Sequence, residues 1–367
     1  EAARLATAEL QQGRPGYRAL WQHFATISKT ALQRDFASLG VYFDLWLGES
    51  DTQERIPSMI ARLEQGGFLE ESDGARIIRL SEGEEDKNVL PPLLIVKTDG
   101  GVMYGTTDLA TIEQRVEDLH ANLILYVVDA RQSLHFKQVF EAAKRTGIAG
   151  TTELEHIGFG TMNGADGKPF KTRAGGVMKL QDLLQMGRDE ALKRMDEQDI
   201  AKDYPDEERL DIAHKVGIAA VKYADLMNHR TSDYIFDLEK FTRFEGRTGA
   251  YLLYAAVRIK SILRKAQERG IAPGTIVIGA PEERDLILLV QQLPEIVEAT
   301  WRNRAPNHLS DYVFTLAQVF SRFYQNCPIL REEKVEVQAS RLALAALCLR
   351  TFEQVLYLLG IEIPERM

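Results

Sequence analysis

Lys168, Lys171 and Arg173 fall close together in a stretch, His156 to Gly176, that carries six glycines in 21 residues. So few side chains leave the backbone free to approach a ligand closely and to take positive φ angles. Cations on such a backbone suit a polyphosphate, whose charge moves during reaction and must be followed by nearby donors. A solvated hairpin with ordinary surface lysines has the same composition, so what this loop does depends on its company.

Three polar positions precede it. Tyr104 stands just before Thr106-Thr107-Asp108. With the threonines as a helix cap, Asp108 would lie in a first turn, where the helix dipole favours a carboxylate. Gln132 follows an apolar strand and sits between Arg131 and His135. A carboxylate, an amide and a phenol gathered at strand and helix ends would suit a planar, multi-donor cation such as guanidinium. Each has a plainer reading as well: a helix-start carboxylate, surface polarity at Gln132 and His135, a strand tyrosine at Tyr104. Their order and spacing carry the signal, not any one residue.

The elements that must position these groups can be read from periodicity. Tyr17, Leu20, Trp21, Phe24, Ile27 and Ala31 mark one apolar helix face, and Asp51 to Gln65 a second helix. Asp73-Gly74 and Asp99-Gly100-Gly101 predict two hairpins, over 68–80 and 93–105. Leu123 to Val128 is wholly apolar, as in a parallel strand covered on both faces, and a helix over 134–145 follows. That alternation predicts a doubly wound α/β domain, whose ligands bind at the carboxyl ends of the strands. Beyond the glycine-rich loop the pattern is helical: 180–195, 212–227, 250–269, 281–300, 309–326 and 340–359.

Composition narrows the function classes. The 367 residues, 45% hydrophobic and 27% charged, suit a soluble chain of two or three domains. No apolar run reaches a membrane span of about 20 residues. Cys327 and Cys348 lack metal-ligand spacing and read as thiols of a reducing cytoplasm. A net charge of −9 argues against a general polyanion binder but leaves room for tRNA on a local basic patch.

Several motifs together resemble bacterial arginyl-tRNA synthetase: Tyr104-Gly-Thr-Thr-Asp-Leu-Ala110, Tyr126-Val-Val-Asp-Ala-Arg-Gln132 with Leu134-His-Phe136, His156-Ile-Gly-Phe-Gly160, and Gly167-Lys-Pro-Phe-Lys-Thr-Arg-Ala-Gly175. So do Val221-Lys-Tyr-Ala-Asp-Leu226 with Asp233-Tyr-Ile-Phe-Asp237, Phe244-Glu-Gly-Arg-Thr248 and the ending Leu359 to Met367. The resemblance covers essentially the whole chain. It implies part of a class I (Rossmann-like) catalytic domain with part of its insertion over 1–160, a KMSKS-type loop and connecting helices over 161–243, and an all-α anticodon-binding bundle over 244–367.

By position, the resemblance implies that Tyr104, Asp108 and Gln132 bind arginine, with Asp108 facing the guanidinium. Lys168-Pro-Phe-Lys-Thr172 stands where the family carries its KMSKS loop, with Pro169-Phe170 and Thr172 departing from the consensus. Lys168 and Lys171 would be the catalytic cations on the ATP phosphates. His135, Gly158, Phe159 and Gly160 would border the nucleotide, and Tyr251, Tyr254 and Met367 would meet the anticodon loop. Arg258, Lys260, Arg264 and Lys265 form a basic stretch that would face phosphate or simply solvent.

The implied substrates and partners are ATP, L-arginine and tRNA(Arg), with Mg²⁺ entering on the ATP, no metal site of the protein's own, and a monomeric, cytoplasmic enzyme. The HIGH signature of the family is not among the contexts of the seven histidines. The resemblance therefore implies the C-terminal two-thirds of the enzyme, inactive alone. A non-catalytic module that holds tRNA or arginine stays open beside it. The cysteine enzyme of the subclass does not fit, because two distant cysteines supply no zinc site for its substrate thiol.

Overall fold

The computed structural model describes residues 6–7, 9–10, 13–81, 90–168 and 179–367. The chain forms two compact units, Glu1–Gln33 with Tyr42–Phe159 and Arg34–Val41 with Gly160–Met367. The expected first helix is α1 (Pro15–Ser38), yet none of its residues is buried among the described ones. Local periodicity suffices to make the helix, whereas burial of its apolar face needs a partner. The second is α2 (Ile56–Gln65), which buries Ile56, Met59 and Leu63.

In the first unit, β1 (Glu70–Ser72) and β2 (Ala75–Ile78) form the predicted hairpin, with Asp73 and Gly74 at φ of 50° and 76°. Two left-handed residues in succession match the twist of paired strands. β2 also pairs antiparallel with β3 (Leu93–Val96). The second predicted hairpin shrinks to a single bridge, Val96 to Val102, because helix α3 (Tyr104–Glu117) has already begun.

β4 (Leu123–Asp129) and β5 (Glu153–Phe159) then pair in parallel, with helix α4 (Ser133–Arg145) in the crossover between them. Ile124 and Tyr126 turn into the core while Val127 is 64% exposed. The strand expected to be covered on both faces is covered on one among the described residues, where this sheet has two strands. Ile95, Leu109, Ile112 and Val139, fully buried, join β3, α3 and α4 in one core.

In the second unit, β6 (Met162–Asn163) lies parallel to β7 (Tyr234–Ile235). Helices α5 (Leu180–Glu197) and α6 (Asp206–Leu226) lie between them in sequence, and the short α7 (Leu238–Phe241) follows. The bundle is α8 (Gly249–Glu268), α9 (Pro281–Gln291), α10 (Leu293–Asn303), α11 (Asn307–Asn326) and α12 (Val335–Leu358). The single helix expected over 281–300 is two, because Pro294, lacking an N–H, suits a first turn and not a helix interior. Tyr223, Phe320, Phe323 and Phe352 are fully buried at its centre, and Cys327 and Cys348 are buried free thiols. No helix among the described residues is long and apolar enough to cross a membrane.

Candidate functional site

Helix α3 starts three residues earlier than a cap at Thr106 would place it. Met103 is the N-cap, without a side-chain cap bond, and Tyr104 the first helical residue, 67% exposed. Thr106 is no cap: it is buried and donates its hydroxyl to the Ile95 carbonyl at 2.6 Å, which pins the helix to β3. Asp108 thus lies one turn in, on the same face as Tyr104, and not in the first turn. The dipole effect fades over that first turn. What holds the carboxylate is His135 on α4, whose Nε2 donates to Asp108 Oδ2 at 2.6 Å. Both side chains stay about a quarter exposed, at 24% and 30%.

The turn that aims α4 is built at the carboxyl end of β4. Asp129 accepts from the Arg131 backbone at 2.8 Å and from its guanidinium, and these bonds lower its carboxyl to about 2. Gln132, exposed, is the N-cap residue of α4, one turn ahead of His135. Behind His135, Phe136 stacks on His156 at 4.9 Å, and His156 donates to the Val128 carbonyl at 3.1 Å. His156 to Phe159 are therefore strand β5, not loop as their glycine content suggested.

The glycines there answer to packing. A Cβ at Gly158 would sit 3.1 Å from the Ala130 backbone, and one at Gly160 only 2.6 Å from the Ser232 carbonyl oxygen. Phe159, 40% exposed, ends β5. In the second unit Gly164 to Lys168 form a turn, with Gly167 at φ 71° and the Gly164 N–H donating to the Lys168 carbonyl at 2.8 Å. Lys168 is exposed. Lys171 and Arg173 lie outside the described residues.

On the bundle, Thr248 caps α8 by accepting the Tyr251 N–H at 3.1 Å. Tyr251 is half-buried, edge-on to Phe314 at 5.9 Å, and Tyr254 is 43% exposed. Of the basic stretch on α8, Arg258 lies flat on the Tyr324 ring at 4.4 Å and Lys260 pairs with Glu365, while Arg264 and Lys265 stay exposed. Met367 packs half-buried against the bundle core.

Residues 1–238 match the family described as tRNA synthetases class I (R), catalytic domain, and residues 252–367 the DALR anticodon binding domain. The chain belongs to the arginyl-tRNA synthetase family. It is 52% identical along its whole length to the arginine–tRNA ligase of Maricaulis maris and 50% to that of Hyphomonas neptunium, and it spans 62% of each. Its fold superposes on the arginyl-tRNA synthetase of Plasmodium falciparum with a TM-score of 0.83 at 25% identity, covering 99% of this chain and 61% of that one. The Thermus thermophilus arginyl-tRNA synthetase gives a TM-score of 0.82 at 22% identity, over 98% and 68%.

Within this arginyl-tRNA synthetase fold, every residue from Tyr104 to Lys171 named above falls in the catalytic-domain span, Tyr254 and Met367 fall in the anticodon-domain span, and Tyr251 lies one residue before it. Sequence reasoning did not single out Tyr126, a buried phenol close enough to Asp108 to feel its charge. Its hydroxyl is buried without a hydrogen-bond partner among the described residues, and Arg115 lies over its ring at 5.1 Å. Burial, with the Asp108 charge adding to it, pushes the phenol up to about 12. Only its place opposite His156, at the middle of a parallel pair of strands, could have flagged it.

An unpaired buried hydroxyl costs about 1–3 kcal/mol. Tyr126→Phe is therefore expected to stabilise the chain by about 1 kcal/mol. Where the hydroxyl serves a ligand beside Asp108, the same change weakens binding of that ligand. Thermal melts with and without arginine read both, and a variant that is less stable shows that the hydroxyl is already satisfied.

Proposed function

We propose that the polypeptide to which this chain belongs attaches arginine to tRNA(Arg) in two steps. The arginine carboxylate attacks the ATP α-phosphorus and pyrophosphate leaves. A hydroxyl of the tRNA terminal ribose then attacks the activated carbonyl carbon, and AMP leaves. The observation that carries this reading is the Asp108 carboxylate, fixed at 2.6 Å by His135 and open on the face it shares with exposed Tyr104. A guanidinium carries five N–H donors, and a carboxylate, an amide and a phenol oxygen are the acceptors that match it. Asp108, Gln132 and Tyr104 take these roles here.

His135, Gly158, Phe159 and Gly160 would border the nucleotide, with Lys168 and Lys171 on its phosphates. Such chemistry needs placed charge and no protein nucleophile. Mg²⁺ would arrive on the phosphates of ATP. Residues 1–160 serve as the C-terminal part of the catalytic domain, 161–243 as the KMSKS-type loop and its connecting helices, and 244–367 as the anticodon-binding bundle. There Tyr251 and Tyr254 offer faces on which unpaired bases stack, and Met367 meets the same loop. The protein works as a cytoplasmic monomer.

Gel retardation with tRNA(Arg) and a non-cognate tRNA, run beside a charging assay, tests the reading. Selective retardation of tRNA(Arg) is expected, and equal retardation of both tRNAs, or of neither, sinks it. At the relatives' full length, Lys171→Ala is expected to depress arginine-dependent ATP–pyrophosphate exchange about a hundredfold, with tRNA affinity within about twofold. An unchanged exchange rate removes Lys171 from the mechanism.

A further inference from the structure

Helix α6 carries Glu208, Lys215 and Lys222 at intervals of seven residues, which places them in one row along the helix. The last residues of the chain run along this row in the opposite direction. Lys222 donates its ammonium to the Gly360 carbonyl, Lys215 pairs with Glu362 at 2.8 Å, and Arg366 forks both oxygens of Glu208 at 2.6 Å. The lengths agree. Two intervals of seven on a helix total about 21 Å, and the six steps from Gly360 to Arg366 reach about 20 Å when extended.

Lys260 of α8 adds a tie to Glu365 at 3.0 Å, and the Arg366 guanidinium rests 4.2 Å over the Tyr204 ring. Between the ionic residues, Ile361 and Pro364 are buried and Ile363 is half-buried. The segment is thus wedged and tied by turns. Hydrogen bonding to Arg366 lowers the Glu208 carboxyl. Burial works against the Lys215 charge, yet bonds to Glu362 and Asp211 outweigh it.

Ion pairs in contact with solvent are screened by it, so these add little to the stability of the bundle. What they set is register, because a slip of one residue would turn Ile361 out of the core and the glutamates away from their cations. α6 lies in the catalytic-domain span and the strap ends the anticodon-domain span, so the ties join the last residues of one to a helix of the other.

We propose that Glu208, Lys215, Lys222 and Lys260 are positioning residues that set the C-terminal strap, and with it Met367, at the surface that receives the anticodon loop. This rests on the tRNA reading above.

The test compares Glu208→Arg, Arg366→Glu and the double swap in the 367-residue chain. It measures affinity for tRNA(Arg), affinity for the same tRNA with an altered anticodon, and amide hydrogen exchange over 360–367. Glu208→Arg is the informative variant, since an added positive charge would by itself tighten RNA binding. A displaced strap instead weakens the cognate complex about fivefold, narrows anticodon discrimination and speeds exchange of the strap amides. The double swap restores net charge and pairing, and is expected within about twofold of wild type on all three.

Glu208→Arg binding as tightly as wild type, or a swap that restores nothing, overturns the proposal. In those cases the wild type still binds tRNA. A wild type that does not retard tRNA(Arg) at all instead removes the tRNA reading, and this proposal with it.

Discussion

Asparagine at Asp108 is expected to lower arginine-dependent ATP–pyrophosphate exchange by about a hundredfold, or about 3 kcal/mol, in a polypeptide of the relatives' full length. The shape is nearly conserved, and the amide oxygen still accepts the His135 proton, so α3 and α4 keep their places. What changes is that an amide –NH₂, itself a donor, now faces the donors of a guanidinium. The loss should fall mainly on the apparent affinity for arginine. Citrulline, which has the shape without the charge, is the control: the wild type should prefer arginine to it strongly, and the variant much less. Exchange within about twofold of wild type, or an unchanged preference, would take Asp108 out of arginine recognition.

The second large effect is on stability, in the bundle. Glu283 is 2% exposed, accepts the Gly279 and Ala280 N–H groups at 2.7 and 3.0 Å, and pairs with Arg341 at 2.7 Å. Arg341 in turn reaches Glu332 at 2.8 Å and the Pro328 carbonyl at 3.0 Å. Glu283 thus caps α9 and ties it to α12 and the loop before it. Glu283→Ala leaves the Arg341 Nε and the Gly279 and Ala280 N–H groups without their shared carboxylate, so it should cost about 3 kcal/mol in chemical denaturation. Loss of less than about 1 kcal/mol would mean that Glu332 and solvent satisfy Arg341 and the two N–H groups without Glu283.

The same group sets a pH dependence. Burial alone would raise the Glu283 carboxyl, but Arg341 and the two backbone N–H groups outweigh it and hold it below its ordinary value of 4.5. Its folded value is therefore lower than its unfolded one. The stability it contributes is fully present above pH 4.5 and is lost as the pH falls through the lower, folded value. The wild type and Glu283→Ala should differ most near neutrality and converge in acid.

Much of the architecture was legible in residue order. Periodicity located the helices because a helix depends on neighbours three and four positions apart. Asp73-Gly74 announced its hairpin because few other pairs accept two left-handed residues in a row. Where such rules failed, a longer-range contact had intervened. Thr106 looks like a cap and is instead a buried tie to Ile95, so α3 begins at Tyr104 and Asp108 shifts one turn inward. Gly158 and Gly160 look like ligand-hugging loop and are sites of close backbone packing. The apolar face of α1 looks like core, yet Leu20, Trp21, Phe24 and Ile27 on it are exposed and none of its residues is buried among the described ones.

By itself the sequence determined the family, the order of elements and the residue types at the candidate site, since these are local patterns or collinear motifs. Only the tertiary structure decided which of those residues meet. His135, read as a nucleotide neighbour, holds Asp108, and Tyr126 brings a buried hydroxyl to the same core. The last residues of the chain lie along a row of charges on α6, 138 positions away at the Lys222–Gly360 contact. Such pairings depend on how separate elements pack, and spacing along the chain does not encode that distance.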